Sequence, residues 1–136
     1  MNTNQAKQGV DHAPFAKIID LVNKHLEIWT ETDNAKRLAL AEEIYAYNIR
    51  VIDPEVILNG HAEVSNFIGG LLKQHPGFKF TTTKAIEAHH NKAILSWQFG
   101  PASKPDTTTG QDIFTTAEDK IVSLLVFVDG ATRVEF

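Results

Sequence analysis

The sequence predicts an α+β domain in which a curved, mainly antiparallel sheet wraps around helices, and three observations carry that prediction. Apolar residues recur at three- and four-residue steps through the first half of the chain. Alternating runs rich in β-branched and aromatic residues fill the second half, and polar turn signals separate those runs closely enough for a meander. Helices gathered ahead of strands, each with one apolar side to bury, pack as a helical layer against a sheet.

The first helix is predicted from Pro14, a residue suited to a first helical turn, through Phe15, Ile18, Ile19, Val22, Leu26 and Trp29. His25, three residues after Val22 and four before Trp29, lies on or beside that stripe and points to the core side. Thr32 or Asp33 can cap a second helix carrying Leu38, Ala41, Ile44 and Tyr45. Ile49 to Asp53 alternates as a short strand, ended by Pro54. Asn59-Gly60 opens a third helix with Val64, Phe67, Ile68, Leu71 and Leu72 on one side, and His75-Pro76-Gly77 stops it.

Four strands are expected next. Phe78 to Ala88 forms a long strand, His89 to Lys92 a turn, and Ala93 to Phe99 a strand with Ala93, Leu95, Trp97 and Phe99 on one face. A loop, PASKPDTTTG, then leads to a hairpin from Thr109 to Asp129. Its first strand places Asp112, Phe114 and Thr116 on one face. Its return strand, Ile121 to Val128, is apolar on both faces apart from Ser123, as a covered central strand would be. Asp112 is thus a half-buried carboxylate beside an aromatic ring. Val122, Leu124, Val126 and Val128 are expected on the outer face, where a homodimer would cover what a single helical layer cannot.

Composition excludes several classes. The chain has 136 residues, 43% of them hydrophobic, which suits one domain at 14–136 behind a loose arm at 1–13. A net charge of −4 with scattered Lys and Arg gives no nucleic-acid footprint, and an acidic membrane surface would repel it. The absence of cysteine removes thiolate chemistry and disulfides and suits a reducing cytoplasm, the expected location. No apolar run has the roughly 20 residues of a membrane span, and the first dozen residues lack the apolar core of a signal peptide.

The series Trp29 with Asp33, Ile52-Asp53-Pro54, Gly60, Leu72-Lys73-Gln74-His75-Pro76-Gly77-Phe78, Ala88-His89-His90-Asn91, Ser96-Trp97-Gln98-Phe99, Gly110-Gln111-Asp112-Ile113-Phe114 and Lys120-Ile121 through Asp129 resembles the SnoaL-like polyketide cyclases and ketosteroid isomerases of the nuclear transport factor two-like superfamily. The resemblance spans Phe15 to Asp129 and implies a cone-shaped α+β barrel, often dimeric. It places the isomerase's proton-shuttling aspartate on Asp53, its protonated oxyanion-hole aspartate on Asp112 and its oxyanion tyrosine on His25, so this chain departs at the last position. In SnoaL-type cyclases the aspartate of the same last-hairpin strand is the acid/base residue, which again falls on Asp112.

Two carboxylates in an apolar cone can have their proton affinities pushed apart, so that one acts as base and the other as donor. Such proton abstraction beside a carbonyl needs no cofactor. The candidate catalytic residues are therefore Asp112, Asp53 and His25, with Trp29, Tyr45, Phe67, Trp97, Phe99, Phe114 and His90 as candidate contacts to a small hydrophobic ligand. Structural readings compete: Asp53 can cap a turn, Asp112 and His25 can serve as satisfied core groups, and the aromatics can simply fill the core. His89 and His90 invite a metal, but neighbouring strand residues point to opposite faces and no carboxylate recurs at ligand spacing, so none is expected. Two functions follow: an acid/base isomerase or cyclase on a carbonyl compound, or a non-catalytic ligand-binding or dimerisation domain.

Overall fold

The computed structural model describes residues 15–131. The expected arm at 1–13 and the helix start at Pro14 lie outside that range. Three helices, α1 (Ala16–Ile28), α2 (Asn34–Ile44) and α3 (Gly60–Gln74), pack inside a curved, unclosed sheet of seven strands. The strands are β1 (Tyr45–Ile52), β2 (Ile57–Asn59), β3 (Lys79–Thr82), β4 (Glu87–His89), β5 (Lys92–Gly100), β6 (Thr108–Ala117) and β7 (Lys120–Val128). Their order is β2-β1-β7-β6-β5-β3, with β4 also on β5; only β1 and β7 run parallel.

Local chemistry sets the helix ends. Asp33 caps α2 by accepting the Lys36 N–H at 2.9 Å. At α3 the Asn59 side chain makes no cap; instead the Glu63 carboxylate, four residues on, reaches back to the Asn59 N–H at 2.8 Å. Between α2 and α3 lies a charge that helical periodicity did not flag. Arg37 is buried, its Nε donating to the Ser65 carbonyl and hydroxyl, Nη1 to the Glu31 carbonyl and Nη2 to Asn34 Oδ1. Burial pushes its pKa down from the usual arginine value, opposed by the nearby Glu31 and Asp33. Gly69 makes room for it, because a Cβ there would press on the guanidinium.

Three expected elements are corrected. Tyr45, placed on the second helix by its spacing from Ala41, instead opens β1 with extended backbone. The long strand from Phe78 to Ala88 is two, β3 and β4, broken at 83–86. The face of β7 is also reversed. Cross-strand partners share a face, and Asp112 pairs with Val126, Phe114 with Leu124 and Gly110 with Val128. Leu124, Val126 and Val128 therefore face inward, while Val122 sits in the register shift between Thr115 and Thr116.

The true outer face carries Ile57, Ile52, Leu125, Ile113 and Ile94, successive partners from β2 through β1, β7 and β6 to β5. The inner face is built in rows. Ala93, Phe114 and Leu124 form a closed core row, followed by Leu95, Asp112 and Val126, then by Trp97, Gly110 and Val128. These last two rows meet the cavity.

Candidate functional site

Four side chains, from α1 and its C-terminal cap, β1 and β5, form a hydrogen-bonded network that ends on Asp112 of β6. Trp29, the residue after α1, donates its indole N–H to the Tyr45 hydroxyl at 3.1 Å. That hydroxyl lies 2.6 Å from His25 Nδ1, and His25 Nε2 lies 3.1 Å from Asp112 Oδ2. Trp97 on β5 donates its indole N–H to Asp112 Oδ1 at 2.9 Å. His25 and Asp112 are only 2% and 6% exposed, and no buried side-chain polar atom among the described residues lacks a partner.

Counting protons assigns the ring. Tyr45 Oη already accepts from Trp29, so its own proton must go to His25 Nδ1; a proton on Nδ1 would leave the hydroxyl hydrogen without an acceptor. His25 is then neutral, protonated on Nε2, and donates to Asp112. Asp112 accepts two N–H bonds as a carboxylate. Burial pushes the Tyr45 phenol well above its ordinary value; the Trp29 bond works the other way, and the Asp112 charge adds to the rise. Tyr45 therefore stays neutral in this fold.

A cavity of about 340 Å³ opens onto this cluster. His25, Trp29, Leu95, Trp97 and Asp112 form its floor, and Phe67, Leu71 and His75 line it from α3. Phe78, Phe80 and Phe99 add an aromatic wall, with Phe80 stacked on Phe99 at 4.1 Å between ring centres. Asp53, Pro54, Glu55, Thr107 and Ala131 also contribute to the lining.

Trp29, Phe67, Trp97 and Phe99 thus meet the cavity together with His25, Asp53 and Asp112. Three expected contacts do not. Tyr45, 1% exposed, lies behind the lining and reaches the cavity only through His25 and Trp29, both bonded to its hydroxyl. Phe114 belongs to the closed row below Asp112 and packs edge-on against His25, 4.8 Å between centres. His90 is exposed in the β4–β5 turn at φ +51°, its Nδ1 3.1 Å from that of His89. The turn brings the two rings together where strand alternation predicted opposite faces, and among the described residues no group of three or more His, Asp or Glu could hold a metal.

Asp53 touches the cavity but is not bonded to Asp112. Its Oδ1 accepts the Glu55 N–H at 2.9 Å and closes a turn around Pro54. His75, expected only as part of the stop of the third helix, also lines the cavity. Its signal was present: Phe67, Leu71 and His75 recur at four-residue steps, so the wall of α3 continues through the residue that ends it.

The SnoaL-like domain family matches residues 22–124 of this chain. The chain belongs to the SnoaL-like family. Solved structures agree with that membership. A SnoaL-like protein from Agrobacterium tumefaciens, described as a candidate isomerase, superposes with a TM-score of 0.78 at 25% identity, covering 85% of this chain and 99% of its own. A candidate SnoaL-like polyketide cyclase from Jannaschia gives 0.67 at 15% identity, with 89% and 92% covered. A candidate ketosteroid isomerase from Kribbella flavida gives 0.64 at 15%, with 88% and 83% covered. No curated protein matches the chain. At these identities the last two likenesses establish the fold, and the chemistry of this SnoaL-like domain has to be argued from its own side chains.

Proposed function

We propose that the domain binds a small, largely apolar carbonyl compound in the cavity and that Asp112 acts on it as a cofactor-independent acid/base group, in an isomerase- or cyclase-like reaction. The observation that carries this reading is the position of Asp112, a carboxylate at the floor of an aromatic-walled cavity, held by His25 on one oxygen and Trp97 on the other. Both bonds come from rigid elements and orient the carboxylate before a ligand arrives. As base, Asp112 would take a proton from the carbon beside the carbonyl. As the conjugate acid, it would return that proton to another atom of the enolate.

His25 has a defined part in such a cycle. Its Nε2–H stabilises the ionised carboxylate, and the Tyr45 hydroxyl keeps the tautomer that donates. Asp53 contributes a second carboxylate to the cavity lining, already engaged in a turn, so Asp112 is the stronger acid/base candidate. The deciding experiment is turnover by Asp112→Asn once a carbonyl substrate has been found by screening. Unchanged turnover would remove Asp112 from the chemistry and leave the domain as a ligand binder.

The same proposal includes a second copy of the chain on the outer sheet face, where the aliphatic row crosses five strands, and work in a reducing cytoplasm, which a chain without cysteine suits.

A further inference from the structure

We propose that this cavity selects its ligand by charge, admitting uncharged compounds and protonated amines and rejecting carboxylates and phosphates; the proposal rests on the cavity being a ligand site. Its lining among the described residues contains three carboxylates, Asp112, Asp53 and Glu55, and neither lysine nor arginine. The floor is the decisive place. Asp112 is held by two neutral rings, so its negative charge is hydrogen-bonded but not neutralised. An anionic ligand brought against it would meet a like charge in surroundings that screen poorly.

The other two carboxylates act in the same direction. Asp53 Oδ1 accepts the Glu55 N–H, which holds both residues in one turn beside the cavity and adds two negative charges to its field. The aromatic wall does not oppose this preference. Phe80 meets Trp97 and Trp29 edge-on at 5.3 and 5.7 Å, leaving an apolar, electron-rich enclosure that suits a planar body and tolerates an ammonium group better than a carboxylate. The substrate class this implies is a free ketone, ester or amine-bearing carbonyl compound, without an acidic or phosphorylated substituent.

The test uses three probes built on one ring system: 2-acetylnaphthalene, 2-naphthylmethylamine and 2-naphthoate. The chain has two tryptophans, and both line the cavity, so their indole N–H resonances report occupancy of this site. Titrations of the full chain are run at pH 8, where an ordinary histidine is neutral. The expected result is that ketone and amine shift both indole signals, while naphthoate binds more weakly by about tenfold or more, a difference of about 1.4 kcal/mol or more. Asp53→Asn with Glu55→Gln should narrow that gap without abolishing it. Naphthoate binding as tightly as the ketone, or more tightly than the amine, overturns charge selection and leaves the ligand-site reading standing. Failure of all three probes to move either indole overturns both.

Discussion

His25 Nε2 meets Asp112 Oδ2 at 3.1 Å, joining residues 87 positions apart, and the Tyr45 hydroxyl on Nδ1 makes Nε2–H the donor. Asp112 supplies two acceptors to two donors. In Asp112→Asn one of those acceptors becomes an NH2 group facing an N–H. Rotating the His25 tautomer to receive it would transfer the mismatch to the Tyr45 hydroxyl, which would lose its acceptor. The variant should therefore lose about 1–3 kcal/mol of stability, the range for one unsatisfied buried polar group. Urea unfolding measures that loss. On a substrate of the proposed class, turnover should fall by about 100-fold or more if Asp112 moves the proton.

Tyr45→Phe tests the outer end of the same chain and carries a pH signature. The phenol ionises near 10.0 when unfolded and well above that when folded, because burial disfavours the anion. The unfolded chain thus releases this proton first as pH rises. Stability from this group is complete below pH 10 and falls above it by about 1.4 kcal/mol per pH unit. The phenylalanine variant begins less stable, since the Trp29 N–H and His25 Nδ1 lose their partner, but it lacks this alkaline decline. The gap between the two proteins should shrink between pH 10 and 11 in parallel urea titrations; a constant gap would show that the phenol is not shielded.

Much of this architecture is legible in local pattern. Phe67 and Leu71 mark the wall of α3, strand alternation puts Asp112 with Phe114, and the Asp33 cap is one residue type at one position. What escaped is nonlocal or ambiguous by period. Tyr45 continues the helical spacing of Ala41, so only its parallel pairing beside β7 reveals a strand residue turned inward. Which face of β7 is inner depends on the partner register across the hairpin and on the shift near Thr115, neither of which alternation can supply in a strand apolar on both sides. The resemblance placed Asp53 among the catalytic candidates; the Asp53–Glu55 turn is the structural reading that the Asp-Pro dipeptide also allowed.

Gly110 links the sheet to the site in a way only cross-strand register shows. It pairs with Trp97, and a Cβ there would collide with the Trp97 ring and the Phe127 carbonyl. The glycine therefore lets the indole lie against β6 and reach Asp112 two residues along. Gly110→Ala should displace the ring, cost about 1–3 kcal/mol as overpacking does, and shift the Trp97 indole N–H resonance away from its hydrogen-bonded position. An unchanged resonance would mean that the strand moves and the indole does not.

The outer sheet face gives the remaining prediction. Ile52 and Ile57 are 39% and 51% exposed, and they continue the aliphatic row through Leu125, Ile113 and Ile94. Flanking rows are mainly polar, with Gln111 and Ser96 beside Phe127 on one side and Ser123 and Thr115 between Arg50 and Lys92 on the other. An apolar centre with polar margins is the composition of an interface core and rim. A row crossing the sheet can meet its own copy across a twofold axis, so that the same residues serve both partners. Sedimentation at micromolar concentration should give a dimer of the 15.1 kDa chain. Leu125→Lys should give a folded monomer, because its change falls at the centre of the row while Val126, on the opposite face, keeps its place in the cavity lining. A wild-type monomer would refute the interface, and a dimer undisturbed by Leu125→Lys would move it to another surface.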